Sequence, residues 1–351
     1  MDKKRFIHEA YWLRAISCLA VVTSHAVNTT LTNYEDSTTQ FVEYVLIFIR
    51  FMVFFGTPTF VFISELILAH AYPNGIPKDF FIKRIKFLLL PFFFMALIFG
   101  FITTDSMTEA LNQIFLNIFF GGFFGYFILI IFQFYVLHAF LNQMLNNLSP
   151  KPVLLVSFII NGLYLAYFNF TEPMNIPFGE QIWKTGYWVP FLGWFFYFCL
   201  GFYCGRHFEK LKGTLIKYKK ILPLLPILFL IIIVILVRKD ILIIVSSKRV
   251  DMILYTVSII FVIISIVAKF KEIPKVILFI SKYSFHIYLL HKIFLYYLQP
   301  ISFLHPFLYF LLAYFYCIIG SIIVSIVLSR FTFSQYLIGK TLNLPPNKVK
   351  N

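Results

Sequence analysis

Two polar side chains, Arg14 and His25, lie eleven residues apart in the first long apolar segment. On a helix they would lie within about 20° of one another and about 16 Å apart along the axis. A buried Arg or His in a membrane-spanning helix is costly, and it marks by default a polar pathway or a reaction site. We therefore expect both side chains to face the protein interior and to meet a partner on a neighbouring helix.

A second polar stripe lies near the C-terminus, where Ser284, Tyr288 and His291 share one face of a predicted helix. If the chain begins in the cytoplasm, His25 and His291 lie about 22 Å and about 24 Å along their helices, in the outer half of the bilayer. Histidine is the side chain best suited to take a proton from a hydroxyl near neutral pH. We interpret His25 as a general base. His291 then orients the acceptor, relays a proton or shares the base role.

The alternative for His25 is a packed histidine that holds a neighbouring carbonyl, and for His291 an interfacial polar residue near the helix end. Arg14 could hold a phosphate of a donor, because a guanidinium binds phosphate bidentately. Arg84 and Lys86, at the start of the third apolar segment, form a second candidate clamp for the donor. All three cations also fit the ordinary role of positive residues that flank a spanning helix.

Arg50 lies inside the second apolar segment, so it needs an anion, a carbonyl or water. If a bound ligand carries a free carboxylate, Arg50 or Lys292 is its natural counter-ion. If it carries none, those cations need another partner. The sequence leaves both possibilities open.

Further candidates lie in the middle of the chain. Tyr126 and Gln133 could contact a bound ligand, although Gln133 could equally bond a neighbouring helix. Trp183 and Trp188 could stack on sugar rings, or they could belong to the aromatic belt at a membrane interface. Ser284 and Tyr288, nearer the C-terminus, are further candidates for ligand contacts.

Composition predicts the class of protein that positions these side chains. The chain has 351 residues, of which 60% are hydrophobic and 13% are charged. A soluble domain of this length would carry about twice that charge, so we predict an all-α polytopic membrane protein. Ten segments are long and apolar enough to span, and 110–122 is predicted to be re-entrant or interfacial. The ten predicted segments are 11–30, 41–69, 87–103, 124–143, 152–168, 187–206, 220–237, 250–268, 275–298 and 303–329.

The net charge of +15 is explained by topology, because the Lys and Arg residues cluster in short connections between apolar segments. Their distribution predicts cytoplasmic N- and C-termini. The weak point is the 238–251 connection, where Arg238, Lys239, Lys248 and Arg249 crowd a loop on the predicted outer side. We predict one domain over 1–351, with no soluble extracytoplasmic domain and no nucleic-acid partner. The four cysteines have no metal-ligand spacing, and no metal site is predicted.

Six motifs in order give the chain a family resemblance. They are "LRAI" with a His eleven residues after its Arg, "GTPTFVFIS", "FIKRIKFLLLP", "GYFILIIFQFY", "FYFCLGFYCG" and "SFHIYLLH". With these, the chain resembles the acyltransferase-3 family of membrane O-acyltransferases, and within it the intercellular adhesion protein C subgroup. Many members carry an Asp three residues before the Arg. Here that position is Tyr11, and the nearest acid is Glu9.

The resemblance implies a multi-pass protein of the bacterial plasma membrane that moves an acyl group from cytoplasmic acyl-coenzyme A to a hydroxyl of a surface polysaccharide, as in biofilms. Acyl-coenzyme A is then a substrate whose thioester Tyr126 and Gln133 could contact, and no bound cofactor is expected. The acyl group is acetyl or succinyl, and the free carboxylate of a succinyl group would pair with Arg50 or Lys292. Ser284 and Tyr288 are candidates for contacts with the acyl group or the acceptor. Glycan synthase or export proteins are possible partners, and one of them could complete the transfer. The alternative is an exporter or flippase for the polysaccharide or its lipid-linked precursor, with Arg14 and the histidines lining the path. Against it, the two halves of the chain show no internal duplication.

Overall fold

The computed structural model describes residues 6–342 and 344. These residues form α-helices joined by turns and short 3₁₀ or π-helical segments, and no β-strand occurs among them. The α-helices are α1 His8–Asn33, α2 Gln40–Val53, α3 Gly56–Ala71, α4 Phe80–Arg84, α5 Leu90–Ile102, α6 Met107–Phe119, α7 Phe127–Asn147, α8 Pro150–Phe170, α9 Gly179–Lys184, α10 Phe195–Arg206, α11 Phe208–Lys217, α12 Leu224–Arg238, α13 Met252–Val267, α14 Lys275–Tyr297 and α15 Pro306–Leu328.

Within the described residues, six helical stretches are long and apolar enough to cross a membrane. They are His8–Asn33, Gln40–Ala71, Phe80–Ile102, Met107–Asn147, Pro150–Phe170 and Pro306–Leu328. Two shorter apolar helices are α12 and α13. The protein is thus a helical membrane protein, whereas the count of ten spans and the orientation of the termini stay predictions. The segment predicted as 187–206 is helical in its second half, since α10 begins at Phe195 after two 3₁₀ turns.

The centre of the bundle is α1, which packs against α3, α14 and α15. At the far end of α1, the Asn33 side chain donates hydrogen bonds to the Leu298 carbonyl (3.0 Å) and the Tyr309 hydroxyl (2.6 Å). At the other end, Glu9 forms an ion pair of 2.5 Å with Lys212 of α11. Both ends of α1 are therefore fixed to other helices. We call the end of the bundle where α1 begins the N-terminal face.

The second predicted span is broken between α2 and α3 at Phe54 and Phe55. Pro58, in the first turn of α3, has no N–H to continue the helical hydrogen bonding across the break. A Cβ added to Gly56 would lie 2.9 Å from the Val21 side chain and 3.0 Å from the Ser17 carbonyl. The break therefore sits where the chain passes close to the backbone of α1, and it directs the end of α2 past His25.

The segment predicted to be re-entrant or interfacial forms the helix α6, which packs on α5. Asn117 is buried and donates to the Ala96 carbonyl at 3.1 Å, so it ties α6 to α5. Gly121, with a φ of 64°, then reverses the chain into the 3₁₀ turn Phe124–Tyr126 at the start of α7. Glycine reaches this left-handed conformation without steric cost.

Candidate active site

A cavity of about 1030 Å³ lies among the helices at the N-terminal face. Parts of α1, α3, α4, α7 and α14 line it, together with the segment after α15. Five of its side chains are cationic and one is acidic: Arg14, Lys83, Arg84, Lys282, Lys340 and Asp79. Asp79 forms an ion pair with Lys83, and its hydrogen bond from Lys83 lowers the pKa of Asp79. The remaining cations give the cavity a positive charge that suits a ligand with several phosphates.

Two of the predicted donor residues face each other in this cavity. The Arg84 guanidinium lies 4.8 Å from the Phe80 ring centre and 5.1 Å from that of Tyr135. Arg14 is half-buried and within electrostatic range of both Tyr135 and Arg84. Neither arginine takes part in an ion pair within the described chain. Glu9, the acid nearest to Arg14 in the sequence, is paired with Lys212.

Lys86 does not join them. Its side chain is exposed and does not line the cavity. Residues two apart on a helix point about 200° away from one another, so Arg84 and Lys86 cannot both face one cavity. The cavity wall instead contains Lys282 and Lys340, and the Lys340 ammonium lies 4.1 Å from the centre of the Phe87 ring. The cavity cations thus come from four separate parts of the chain: α1, α4, α14 and the segment after α15.

The stripe on α14 leads from this cavity toward the histidines. Ser284 and Tyr288 line the cavity, and the Ser284 hydroxyl donates to the Ser281 carbonyl at 2.9 Å. The centre of the Tyr288 ring lies 6.1 Å from that of His291, one turn further along the helix. The predicted arrangement on one helix face is present, with Ser284 at the cavity end and His291 beyond its wall.

Three aromatic rings form that wall. The Tyr288 hydroxyl donates to the Phe124 carbonyl, and the Phe127 ring centre lies 4.1 Å from that of Tyr288. On the other side, the Phe124 ring lies 5.2 Å from His291 and 6.4 Å from His25. Neither histidine lines the cavity. We call Phe124, Phe127 and Tyr288 the aromatic partition.

His25 of α1 and His291 of α14 meet beyond the partition, with ring centres 5.1 Å apart. His291 is fully buried, and its Nδ1 lies 2.9 Å from the Ile287 carbonyl and 2.8 Å from the Tyr288 carbonyl. Carbonyls only accept hydrogen bonds, so we assign the proton to Nδ1. Nε2 is then an acceptor, and this buried atom has no partner in the described chain. His25 is half-buried and so is the more accessible of the two.

Three cations surround the histidine pair. Arg50 of α2, Lys248 of the α12–α13 connection and Lys292 of α14 all lie within electrostatic range of His25. The Lys248 ammonium lies 3.8 Å from the centre of the Trp188 ring and 4.8 Å from that of Tyr126. Burial, and then the positive charge of Arg50, lower the pKa of Lys248 to about 7. Trp188 and Tyr126 therefore both contact this lysine.

Arg249 holds the loop that carries Lys248. Its guanidinium is fully buried and donates to Asp251 at 2.9 Å and 2.6 Å, and to the Leu242 and Ile244 carbonyls at 2.9 Å and 3.1 Å. The Asn169 side chain accepts a hydrogen bond from the Val250 N–H at 2.9 Å. Two of the predicted loop cations are thus a buried arginine that holds the loop and a lysine that packs on Trp188 and Tyr126.

The sequence also matches a family of known proteins. The sequence profile of the acyltransferase-3 family, described as an acyltransferase domain, matches residues 7–329. The chain belongs to this family. It is therefore a membrane acyltransferase, as its motifs indicated.

Several bacterial relatives match most of the chain. A Bacillus subtilis strain 168 protein named as a membrane-bound acyltransferase, YfiQ, is 35% identical over 354 residues, which are 98% of this chain and 97% of that protein. A Staphylococcus aureus strain Mu50 protein named as a poly-beta-1,6-N-acetyl-D-glucosamine export protein is 30% identical over 83% of each chain. A Staphylococcus epidermidis protein with the same name is 30% identical over 82% of this chain and 81% of its own. No solved structure matches the chain.

Two predicted site residues lie elsewhere in this acyltransferase. The Gln133 amide donates to the Val189 carbonyl at 2.9 Å and accepts from the Phe191 N–H at 2.9 Å, so it fixes the loop before α10. Trp183 donates to the Thr171 carbonyl at 3.0 Å, away from the histidines. The Gln133 amide is therefore satisfied by the protein itself, which is the alternative that the sequence left open, whereas the stacking role predicted for the Trp183 ring stays a prediction.

A buried carboxyl and imidazole pair is the polar feature that sequence reasoning missed. Glu65 Oε1 of α3 lies 2.6 Å from His138 Nδ1 of α7, and both side chains are fully buried. The second carboxylate oxygen and the second imidazole nitrogen have no partner in the described chain. Both residues stand within apolar helical sequences, and this placement was the available signal.

Proposed function

We propose that the protein moves an acyl group, acetyl or succinyl, from cytoplasmic acyl-coenzyme A to a hydroxyl of a cell-surface polysaccharide. In this proposal the N-terminal face lies in the cytoplasm and the histidine pair lies toward the outside. The orientation rests on the distribution of positive residues between connections. The glycan acceptor is supported by the names of the staphylococcal relatives.

The donor fits the cationic cavity. Coenzyme A carries a pyrophosphate and a further phosphate, and Arg14, Arg84 and Lys340 are available to bind them. The pantetheine arm would then run along the Ser284 and Tyr288 stripe to the aromatic partition. Movement of the partition is required before a thioester can reach the histidines.

The chemistry follows from the histidine pair. His25, the more accessible ring, takes the proton from the acceptor hydroxyl, while the other ring nitrogen of His25 donates a hydrogen bond to His291 Nε2. The hydroxyl oxygen attacks the thioester carbon, and a C–O bond forms as the C–S bond breaks. The departing thiolate takes the proton from the imidazole, so the histidines return to their starting state.

One observation carries this proposal: the two imidazoles from different helices meet where the stripe from a cationic cavity ends, and one of them presents a free acceptor nitrogen. A packed histidine would have its nitrogens satisfied by neighbours. The paired helix carbonyls satisfy only Nδ1 of His291.

The second candidate function is export of the glycan, which the names of the staphylococcal relatives favour. An exporter needs the polarity of Arg14, His25 and His291 but not their acid–base chemistry. The two functions therefore differ in what is lost when His25 is removed.

Mass spectrometry of the surface polysaccharide tests the proposal. Cells would make the wild-type protein, His25→Ala, His207→Ala or none, at matched membrane levels. His207 is exposed after α10 and away from the site, so its variant is a matched control. We expect an ester-linked mass with the wild type and the control, and its loss in His25→Ala while the glycan still reaches the surface. Glycan retained inside the cells would instead support export.

A further inference from the structure

The three cations around the histidines come from three separate elements. Arg50 lies in the last turn of α2, Lys292 follows His291 on α14, and Lys248 lies in the α12–α13 connection. Arg50 interacts electrostatically with both lysines. Like charges that the fold brings together repel one another, so this arrangement is unfavourable in the free protein.

These three charges have no carboxylate partner among the described residues, where none of the ion pairs includes Arg50, Lys248 or Lys292. The buried Nε of Arg50 has no hydrogen-bond partner there either. Lys248 contacts the faces of Trp188 and Tyr126, which attract a cation but do not neutralise it.

The position of Lys248 is built into the fold. On its C-terminal side, Arg249 and Asp251 fix the loop with four hydrogen bonds. Asn169 also donates to the Lys248 carbonyl at 3.3 Å. A lysine with no role could turn to the solvent, whereas this one is held over an indole beside the histidine pair.

From this geometry we propose that Arg50, Lys248 and Lys292 form a binding site for a carboxylate on a substrate of the transfer reaction. The proposal rests on the proposed function, because the carboxylate must belong to a molecule that reaches His25 and His291. Two sources share this chemistry: the far end of a dicarboxylic acyl group, such as succinyl, or an acidic sugar of the acceptor. A site built for acetyl and a neutral acceptor alone would have no use for three uncompensated cations.

Purified full-length protein separates these sources. Initial rates of transfer would be measured from acetyl- or succinyl-coenzyme A, each with a neutral β-1,6-linked N-acetylglucosamine oligomer or with an oligosaccharide that contains glucuronate. The variants are Lys248→Gln and Lys292→Gln. Lys239→Gln is the matched control, since Lys239 is exposed in the same connection.

We expect each site variant to lower the transfer that involves a carboxylate by about 10-fold to 100-fold, the usual loss for one charged hydrogen bond. Acetyl transfer to the neutral acceptor should fall by less than the transfer that involves a carboxylate, because it lacks that contact, and the Lys239→Gln control should match the wild type. Loss confined to succinyl places the carboxylate on the acyl group, and loss confined to the glucuronate acceptor places it there. Equal loss of all four reactions, or no loss, overturns the proposal.

A binding measurement separates this proposal from the proposed function. The thermal midpoint of the protein would be followed with monomethyl succinate and with its neutral dimethyl ester. A rise with the acid alone, absent in Lys248→Gln, supports the carboxylate site even where no acyl transfer occurs with any donor. No transfer and no such rise overturns both.

Discussion

Replacing Asp251 by Asn should release the loop that positions Lys248. Asp251 accepts two hydrogen bonds from the buried Arg249 guanidinium, at 2.9 Å and 2.6 Å. Asparagine keeps one oxygen acceptor but turns an NH₂ group toward the other donor, and it removes the neutralising charge. Arg249 is fully buried, so its charge has no water to replace what is lost.

The size of the effect follows from this burial. Breaking a buried ion pair by changing one partner costs about 3–5 kcal/mol, because the other charge is left uncompensated. The carbonyls of Leu242 and Ile244 still bind the guanidinium, which places the expected cost at the lower end. A local destabilisation of about 3 kcal/mol raises the population of the open loop by about 100-fold.

Hydrogen exchange of the Val250 amide measures that population directly. This N–H is bonded to Asn169 Oδ1 and becomes free only when the loop opens. We expect exchange about 100-fold faster in Asp251→Asn, with unchanged exchange in the centre of α1. Asp240→Asn is the matched control, because Asp240 is exposed with a φ of 53° that asparagine also adopts readily.

A double variant completes this test. Arg249→Met together with Asp251→Ala removes both charges, and it should exchange more slowly than Asp251→Asn, since no buried charge is left unpaired. Unchanged Val250 exchange in Asp251→Asn would refute the view that this ion pair holds the loop. A double variant as fast as the single one would refute the reasoning from buried charge.

Three further predictions concern the partition, the buried pair and pH. Gly125→Ala should lower acyl transfer by about tenfold, measured as the initial rate at unchanged protein levels. The new Cβ would lie 2.2 Å from the Phe123 ring and so would shift the turn that carries the partition residue Phe124. Glu65→Leu should destabilise the protein by about 1–3 kcal/mol by leaving its buried histidine partner unsatisfied, measured as a lower unfolding midpoint in detergent, and an unchanged midpoint would contradict it. Lys248, whose pKa is lowered to about 7, is charged below that pH and neutral above it. KM for a carboxylate-bearing substrate should therefore rise between about pH 6 and 8 in the wild type, and it should stay constant over that range in Lys248→Gln.

Helix periodicity predicted the parts of the site that lie on single helices. Arg14 and His25 were expected on one face of α1. Arg14 lines the cavity, and His25 belongs to the histidine pair. The stripe from Ser284 to His291 was expected on one face of α14 and runs between the same two places. These placements need only the angle per residue, which the sequence spacing already contains.

The rest depends on contacts between distant segments. Lys248 reaches the site because Arg249 and Asn169 fold the loop inward, and the sequence indicated only a cluster of loop cations. The C-terminal segment brings Lys340 to the cavity in the same way. By contrast, the exclusion of Lys86 follows from its two-residue spacing from Arg84 and was available from the sequence.

Transfer across a membrane is the central claim, and liposomes that contain the oriented full-length protein test it most directly. Radiolabelled acetyl- and succinyl-coenzyme A would be added, in separate reactions, on the side of the N-terminal face, with a β-1,6-linked N-acetylglucosamine oligomer and, in parallel, a glucuronate-containing oligosaccharide enclosed on the other side. We predict labelled ester on an enclosed oligosaccharide with the wild type and with His207→Ala, and none with His25→Ala. Label that appears with His25→Ala at the wild-type rate, or no label with any donor and acceptor while the oligosaccharide itself crosses the membrane, would contradict the account.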